Sequence, residues 1–262
     1  MKKDILKEIV SKRKDKILLA KQQLPEEELK EKIQALAPTR PVIEAIHKPR
    51  TISLIAEIKK ASPSRGLIRD NFNLQEIASC YQDAGVQAVS VLTEEDFFYG
   101  SISYINEAKG ITGVPILRKD FILESYQVYE SRYFGADAIL LIADLLTQDK
   151  LSELMQIALE LGMDYLVEVH TEKELKKVLK LKGINLIGIN NRDLHTLEVD
   201  FKTTEQLFPL VPKDKVVVVE SGVKSQQDVL FLRILGVSAV LIGEAFMEAQ
   251  DIKRRVEELM GW

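Results

Sequence analysis

The stretch Gly135-Ala-Asp-Ala-Ile-Leu-Leu-Ile142 sets a glycine ahead of a short apolar run that has no polar residue after Asp137 to mark a wet face. A strand buried on both faces reads this way, as strands of parallel sheets do. The pattern returns at Gly85-Val-Gln-Ala-Val-Ser-Val-Leu92, Gly162-Met-Asp-Tyr-Leu-Val-Glu-Val169, Gly183-Ile-Asn-Leu-Ile-Gly-Ile189 and Gly236-Val-Ser-Ala-Val-Leu-Ile-Gly243. Three further runs, at 52–58, 114–117 and 216–219, lack the full pattern but share its length and character. Together they form an internal repeat with a period of roughly twenty to thirty residues.

Helical patterns fill the gaps. Asn73-Leu-Gln-Glu76 and Thr171-Glu-Lys-Glu174 place a capping residue three positions before a glutamate, and Ser225-Gln-Gln-Asp228 is a looser version. Apolar residues then recur every three or four positions, as at Leu151, Leu154, Ala158 and Leu161. The glycines that open the runs stand where helix C-termini adopt positive φ. The unit is strand, loop, capped helix, glycine, strand. Repeated around a closed sheet it predicts an α/β chain folded as a (β/α)8 TIM barrel, with an open doubly wound sheet as the alternative.

Residues 1–50 precede the repeat. They predict an N-terminal helical extension packing on a catalytic barrel of residues 51–262, the two forming one domain. Residues 3–20 carry Ile5, Leu6, Ile9, Val10, Ile17 and Leu18 at helical spacing, and the basic residues between them read as a solvated face. A second short helix is expected around 26–36, after Pro25.

Composition excludes several classes of function. With 46% of 262 residues hydrophobic, the chain has material for a sizeable core and is not a disordered segment. Forty acidic against thirty-six basic residues leave no global basic field for nucleic acid. Cys80, the single cysteine, makes neither an internal disulfide nor a cysteine-built zinc site. His47, His170 and His195 lie far apart in sequence, so no metal centre is expected. No apolar run approaches the roughly 18 residues of a membrane span, and Met1-Lys-Lys-Asp-Ile-Leu-Lys-Glu8 lacks a signal-peptide apolar core. The expectation is a reduced, cytoplasmic protein without membrane or nucleic-acid partners.

A barrel interior is packed with branched apolar side chains, and its active site lies at the C-terminal strand ends. Polar groups at those ends are therefore the candidates. Alternation puts Glu57 and Lys59 on one face at the end of the first run. The third run ends in Lys119-Asp-Phe121, the fifth in Glu168-Val-His170 and the sixth in Asn190-Asn-Arg192. The seventh ends in Glu220-Ser-Gly222 and the eighth in Gly243-Glu244. Any one buried Glu–Lys pair reads equally well as structural. Three carboxylates and two lysines meeting at one mouth suit paired general acid and base catalysis on an anionic substrate. Gly222 and Gly243, in the loops after the last two strands, let main-chain N–H groups approach a phosphate.

With these residues in view, the chain resembles the indole-3-glycerol-phosphate synthase family over essentially its whole length. The resemblance is carried by Ile55-Ala-Glu-Ile-Lys-Lys-Ala-Ser-Pro-Ser64, Leu92-Thr-Glu-Glu-Asp-Phe-Phe98 and Leu117-Arg-Lys-Asp-Phe121. Leu166-Val-Glu-Val-His170, Gly188-Ile-Asn-Asn-Arg-Asp-Leu194 and Val219-Glu-Ser-Gly222 extend it. It implies a carboxy-lyase of tryptophan biosynthesis that closes 1-(2-carboxyphenylamino)-1-deoxyribulose 5-phosphate to an indole, losing carbon dioxide and water, with no metal and no cofactor. It implies Lys119 as general acid and Glu168 as general base, with Lys59 near the substrate carboxylate. How Lys59 and Lys119 divide the acid steps stays open.

The resemblance further implies that Glu57 orients a lysine and that Asn190 and Glu220 contact the reacting region. Arg192, Ser221, Gly222, Gly243 and Glu244 would lie toward the hydroxyl and phosphate side. Ser62 and the segment that follows it would form a loop over the mouth, while Phe98, Phe121 and Leu241 would wall the aromatic ring. From spacing alone the two phenylalanines read as core. His170 and His195 read as ordinary loop residues, Asp120 and Asp193 as salt-bridge partners or loop caps, and Cys80 as a small packing residue. A neighbouring phosphate-binding barrel enzyme and a non-catalytic ligand-binding barrel are the rival readings. A monomer or weak homodimer is expected.

Overall fold

The structure, a computed structural model, describes residues 5–262. The charged start and the first positions of the helix predicted over 3–20 lie outside the described residues. All the apolar runs are strands: β1 (Ser53–Ile58), β2 (Ala88–Leu92), β3 (Ile116–Lys119) and β4 (Ala138–Ile142), then β5 (Asp164–Val169), β6 (Leu186–Asn190), β7 (Val216–Glu220) and β8 (Ala239–Ile242). Each pairs in parallel with its neighbours in sequence, and β8 pairs with β1, Ser53 opposite Ala239, to close the ring. The chain is a TIM barrel, and the open sheet is excluded.

Local signals behave as their chemistry requires. The five glycines that open the repeated runs all have φ between +71° and +102°, and Gly236 is the left-handed C-cap of helix Gln226–Leu235. The Asn73 side chain accepts the N–H groups of Gln75 and Glu76, and the Thr171 hydroxyl accepts that of Glu174. Ser225–Asp228, the looser match in sequence, forms a complete reciprocal box: Ser225 Oγ accepts the Asp228 N–H at 3.2 Å, and Asp228 accepts the Ser225 N–H at 2.9 Å. An aspartate at the third helical position reaches the cap as well as a glutamate does.

Strand alternation sorts the core into two layers. Ile55, Leu117, Leu140, Leu166, Val218 and Leu241 point into the barrel, while Leu54, Ala56, Ile58, Ile116, Val167 and Val217 face the surrounding helices. Before β1 come α1 (Ile5–Gln23), α2 (Glu26–Ile33) and α3 (Val42–Ile46). Val42 and Ile46 of α3 plug the N-terminal mouth, where Asp164 at the start of β5 accepts the first N–H groups of α3, from Val42 at 2.7 Å and Ile43 at 3.0 Å. Leu29 and Ile33 of α2 pack on Tyr126 of helix Ser125–Tyr133.

Helix α1 buries Leu6, Ile9, Arg13 and Ile17, leaving Leu18 and Leu19 exposed. Arg13 corrects the reading of the basic face as wholly solvated. It turns inward and donates to Asp120 at 2.6 Å, next to Lys119. Asp120 also receives Arg118, whose fully buried guanidinium lies 2.8 Å from Glu130 on the outer side of β3. Helix α1 is thus held to the C-terminal end of β3 by a buried ion pair. Arg13→Met removes a charged hydrogen bond while leaving Asp120 its bond to Arg118, so the expected loss is about 1.5–3 kcal/mol. The midpoint of urea unfolding measures it.

Candidate active site

Inward-facing positions at the C-terminal strand ends carry the charges. Glu57 and Lys59 extend the inner face of β1, and their oxygen and nitrogen lie 2.6 Å apart. Lys119, ending β3, places its ammonium 3.1 Å from Glu168 Oε2 of β5 and 3.1 Å from Glu220 Oε2 of β7. Three strands far apart in sequence therefore meet at one nitrogen. These side chains line a cavity of about 800 Å3 that opens at the C-terminal mouth.

The groups set one another's protonation. Burial pulls the Lys119 ammonium toward the neutral form, but the carboxylates of Glu168, Glu220 and Glu57 outweigh it and hold its pKa above the ordinary lysine value. Burial works against the Glu168 carboxylate too. Lys119 and then His170 overcome it and hold Glu168 well below the usual carboxylate range. Glu220 goes the other way: burial outweighs Lys119, the charge of Glu168 adds to the effect, and its carboxyl is pushed up to about 8. At neutral pH the cluster therefore holds a charged lysine, a charged carboxylate and a carboxyl that keeps its proton.

Space for these carboxylates comes from two inward-facing glycines. A Cβ on Gly188, in β6, would stand 2.4 Å from Glu220 Oε1. A Cβ on Gly243, just past β8, would stand 2.5 Å from Glu57 Oε1 and 2.8 Å from Glu57 Cβ. Gly243 was expected for its main chain, and the structure adds that its missing side chain makes room for Glu57. Gly188 was not expected at all, because a glycine inside an apolar run reads only as a weak spot in a strand.

On the far side of the cavity the chain turns through two left-handed residues, Ser221 (φ +64°) and Gly222 (φ +89°). Asn191 steadies the turn by donating to the Ser221 carbonyl at 3.0 Å. Asn190 points into the cavity, and its side-chain oxygen accepts the Arg192 N–H at 3.0 Å. Arg192, Lys224 and Arg255 line the same side, as does the start of the short helix Glu244–Met247. The Glu244 carboxylate bonds Arg65 at 3.0 Å and approaches Arg192 at 3.4 Å. Arg65 sits in the turn of a small hairpin, Ala61–Ser62 against Gly66–Leu67, that leans over this rim.

Fourteen of the fifteen candidate residues line the cavity; Ser62 does not, and its neighbour Ser64 does. Phe98 and Phe121 both line it while packing together, ring centroids 6.1 Å apart, so core and wall are one role here. Glu94 was missed. It is buried and accepts the N–H groups of Asp96, Phe97 and Phe98, folding the loop that carries Phe98. Asp193 caps its loop through the N–H groups of His195 and Thr196, as expected. His195 reaches Asp144 at 3.0 Å on the rim. His170 is the correction: it is no ordinary loop residue but stands between Glu168 and Glu174, 3.1 and 3.2 Å from them. Its place two residues after Glu168, on the same face, was the available signal.

Comparison with known proteins shows the family. A family model described as indole-3-glycerol phosphate synthase matches residues 6–259. The indole-3-glycerol phosphate synthase of Caldanaerobacter subterraneus subsp. tengcongensis is 49% identical over 259 residues, covering 98% of this chain and 99% of that one. That of Acetivibrio thermocellus is 47% identical, covering 97% and 98%. Among solved structures, a mutant tryptophan synthase alpha-subunit from Pyrococcus furiosus superposes with a TM-score of 0.61 at 18% identity, over 80% of this chain and 98% of that one. A 3-hexulose-6-phosphate synthase gives 0.64 at 14%, over 80% and 99%. At these identities the structures speak for the barrel alone.

The glycine cradle has a direct test. In Gly188→Ala the atoms nearest the new methyl group are the carboxyl end of Glu220 and a Leu166 methyl at 3.4 Å. A crystal structure of this variant is expected to show an intact barrel with Glu220 swung away from Lys119. An unmoved carboxylate contradicts the argument.

Proposed function

The chain belongs to the indole-3-glycerol phosphate synthase family, and from that membership we propose how its cavity performs the reaction. The enzyme is a carboxy-lyase of tryptophan biosynthesis whose substrate is a phosphorylated small molecule, 1-(2-carboxyphenylamino)-1-deoxyribulose 5-phosphate. Its ring closes, then carbon dioxide and water leave.

Ring closure forms a bond from the aromatic carbon bearing the carboxylate to the ketone carbon, and the ketone oxygen must take up a proton as it becomes an alkoxide. Lys119 supplies it. An ammonium held this firmly stays charged across ordinary pH and yields its proton only to a stronger base, which the forming alkoxide is. Loss of carbon dioxide breaks the carbon–carboxylate bond and returns the electron pair to the aromatic ring. Lys59, beside Glu57, faces the substrate carboxylate during this step. In the last step the hydroxyl leaves as water with a proton from a lysine, while Glu168, held anionic, takes a proton from the new ring. Glu57 orients Lys59, and Asn190 and protonated Glu220 contact the reacting region.

The phosphate lies across the cavity, on the main-chain N–H groups of the Ser221–Gly222 turn and of the Gly243–Glu244 helix start, with Arg192 and Lys224 beside it. Because the Glu244 side chain is engaged by Arg65 and Arg192, its contribution there is through the main chain. Ser62 belongs to the hairpin that carries Ser64 and Arg65 over the mouth. Phe98, Phe121 and Leu241 hold the aromatic ring. Residues 1–50 act as an extension of a catalytic barrel formed by 51–262. The balanced charge and single cysteine favour a cytoplasmic protein working without nucleic acid, and a barrel of this size suits a monomer or weak homodimer. No helix among the described residues is long and apolar enough to cross a membrane.

The observation that carries this reading is Lys119 standing 3.1 Å from carboxylates on two other strands. Adding the substrate and following indole fluorescence tests it. Lys119→Ala and Glu168→Gln are each expected to cut turnover at least about 100-fold with KM changed little, as loss of a general acid or base does. Near-normal turnover in either variant overturns the assignment.

A further inference from the structure

We propose that His170 is the positioning residue of this site: its doubly protonated ring, held from behind by Glu174, pins one oxygen of Glu168 so that the other faces Lys119 and the substrate. The inference rests on Glu168 as the general base. His170 continues the inner face of β5 two residues past Glu168, yet its side chain is largely enclosed and is not part of the cavity lining. It acts through Glu168 and not on the substrate.

The two oxygens of Glu168 face different cations. Oε2 lies 3.1 Å from the Lys119 ammonium, and Oε1 lies 3.1 Å from His170 Nε2. The other ring nitrogen, Nδ1, lies 3.2 Å from Glu174 Oε2. Both ring nitrogens therefore face carboxylate oxygens. Nδ1 hydrogen-bonds Glu174, while Nε2 and Glu168 Oε1 meet as an ion pair without a hydrogen bond, so a ring enclosed between two carboxylates favours the imidazolium and draws Glu168 Oε1 by its charge. Glu174 is itself fixed. The same oxygen accepts the His170 main-chain N–H at 2.8 Å, and its partner Oε1 accepts the Thr171 hydroxyl at 2.8 Å at the N-terminus of helix Glu172–Val178. The anchor of the ring is thus a helix cap.

The titratable groups facing Glu168 are Lys119 from β3 and Glu220 from β7, with Glu57 of β1 beside those two, and His170 at its own strand end. Those facing His170 are Glu168 and Glu174. Burial opposes the charge on His170, but these two carboxylates outweigh it and its pKa is pushed up to about 10. A group raised in this way stabilises the fold fully below its ordinary value near 6.5. That contribution is lost as pH rises through about 10.

The test is His170→Gln, which removes the charge and keeps a polar side chain, with kcat and KM measured across pH. Without the neighbouring cation, Glu168 protonates more readily. The acid limb of kcat is expected to move up by about one unit or more, with KM within about threefold of the parent. In the parent protein, nitrogen-15 NMR of the His170 ring is expected to show both N–H groups unchanged from pH 5 to 8. Glu174→Gln, which leaves Glu168 and His170 in place, covers the case in which His170→Gln fails to fold. It is expected to move the acid limb the same way by less. A uniform fall in kcat with the acid limb unmoved, or a ring that titrates near 6.5, overturns the proposal. Retained turnover in Glu168→Gln instead overturns the base assignment, which separates the two failures.

Discussion

A carboxylate enclosed inside a barrel persists as an anion only where a cation or hydrogen-bond donors stand beside it, because burial alone drives it to the neutral acid. This constraint organises the C-terminal mouth. Lys119 has two carboxylate neighbours and satisfies one of them: Glu168, which has a second cation behind it, is held charged, while Glu220, which has none, is pushed toward its neutral form. The difference between the charged carboxylate and the neutral carboxyl is therefore made by what lies beyond each residue. Glycine takes part in the same arrangement. Gly188 and Gly243 leave the volume into which Glu220 and Glu57 fold, so the charges are placed by absent side chains as much as by present ones.

The same constraint explains why the helical extension is built into the barrel. Strand β3 carries charge on both faces at its end, Lys119 inward and Arg118 outward, and Asp120 follows immediately. Asp120 is buried and needs its partners. It finds them in Arg118 and in Arg13, which arrives from α1 across 107 positions of sequence. Holding Asp120 in place holds the backbone of its neighbour Lys119. Helix α1 thus reaches the neighbour of Lys119 through a buried ion pair, while Leu6 and Ile9 pack in the same cluster as Phe121 and Leu241.

Much of the fold was legible because it follows from local rules. The glycine-led apolar runs became strands, residue alternation put Glu57 beside Lys59, and the charges of five other strand ends meet in the same cavity. What escaped depended on contacts that no local rule encodes. Arg13 sits among the basic residues of α1, most of which face water, and nothing near it announces Asp120. Gly188 has meaning only once Glu220 is known to fold against it. His170 is different, since the alternation applied to Glu57 and Lys59 applies equally to Glu168 and His170. It read as a loop residue because a histidine just past a strand carries no sign of its surroundings until helix Glu172–Val178 brings Glu174 back over it.

The inner face of β5 shows how one period serves both stability and chemistry. It reads Asp164, Leu166, Glu168, His170 from floor to mouth. Asp164 spends its charge on the N-terminus of α3, where helix dipole and free N–H groups welcome an anion, and so closes the floor. Leu166 fills the apolar layer above it. Glu168 lies one layer higher, where no helix end is offered, and must find side-chain cations instead. A carboxylate at the bottom of this strand is neutralised by fixed main-chain groups and becomes structure. One at the top is held as an anion by side-chain cations at a position that lines the cavity, where it stays open to whatever the cavity holds.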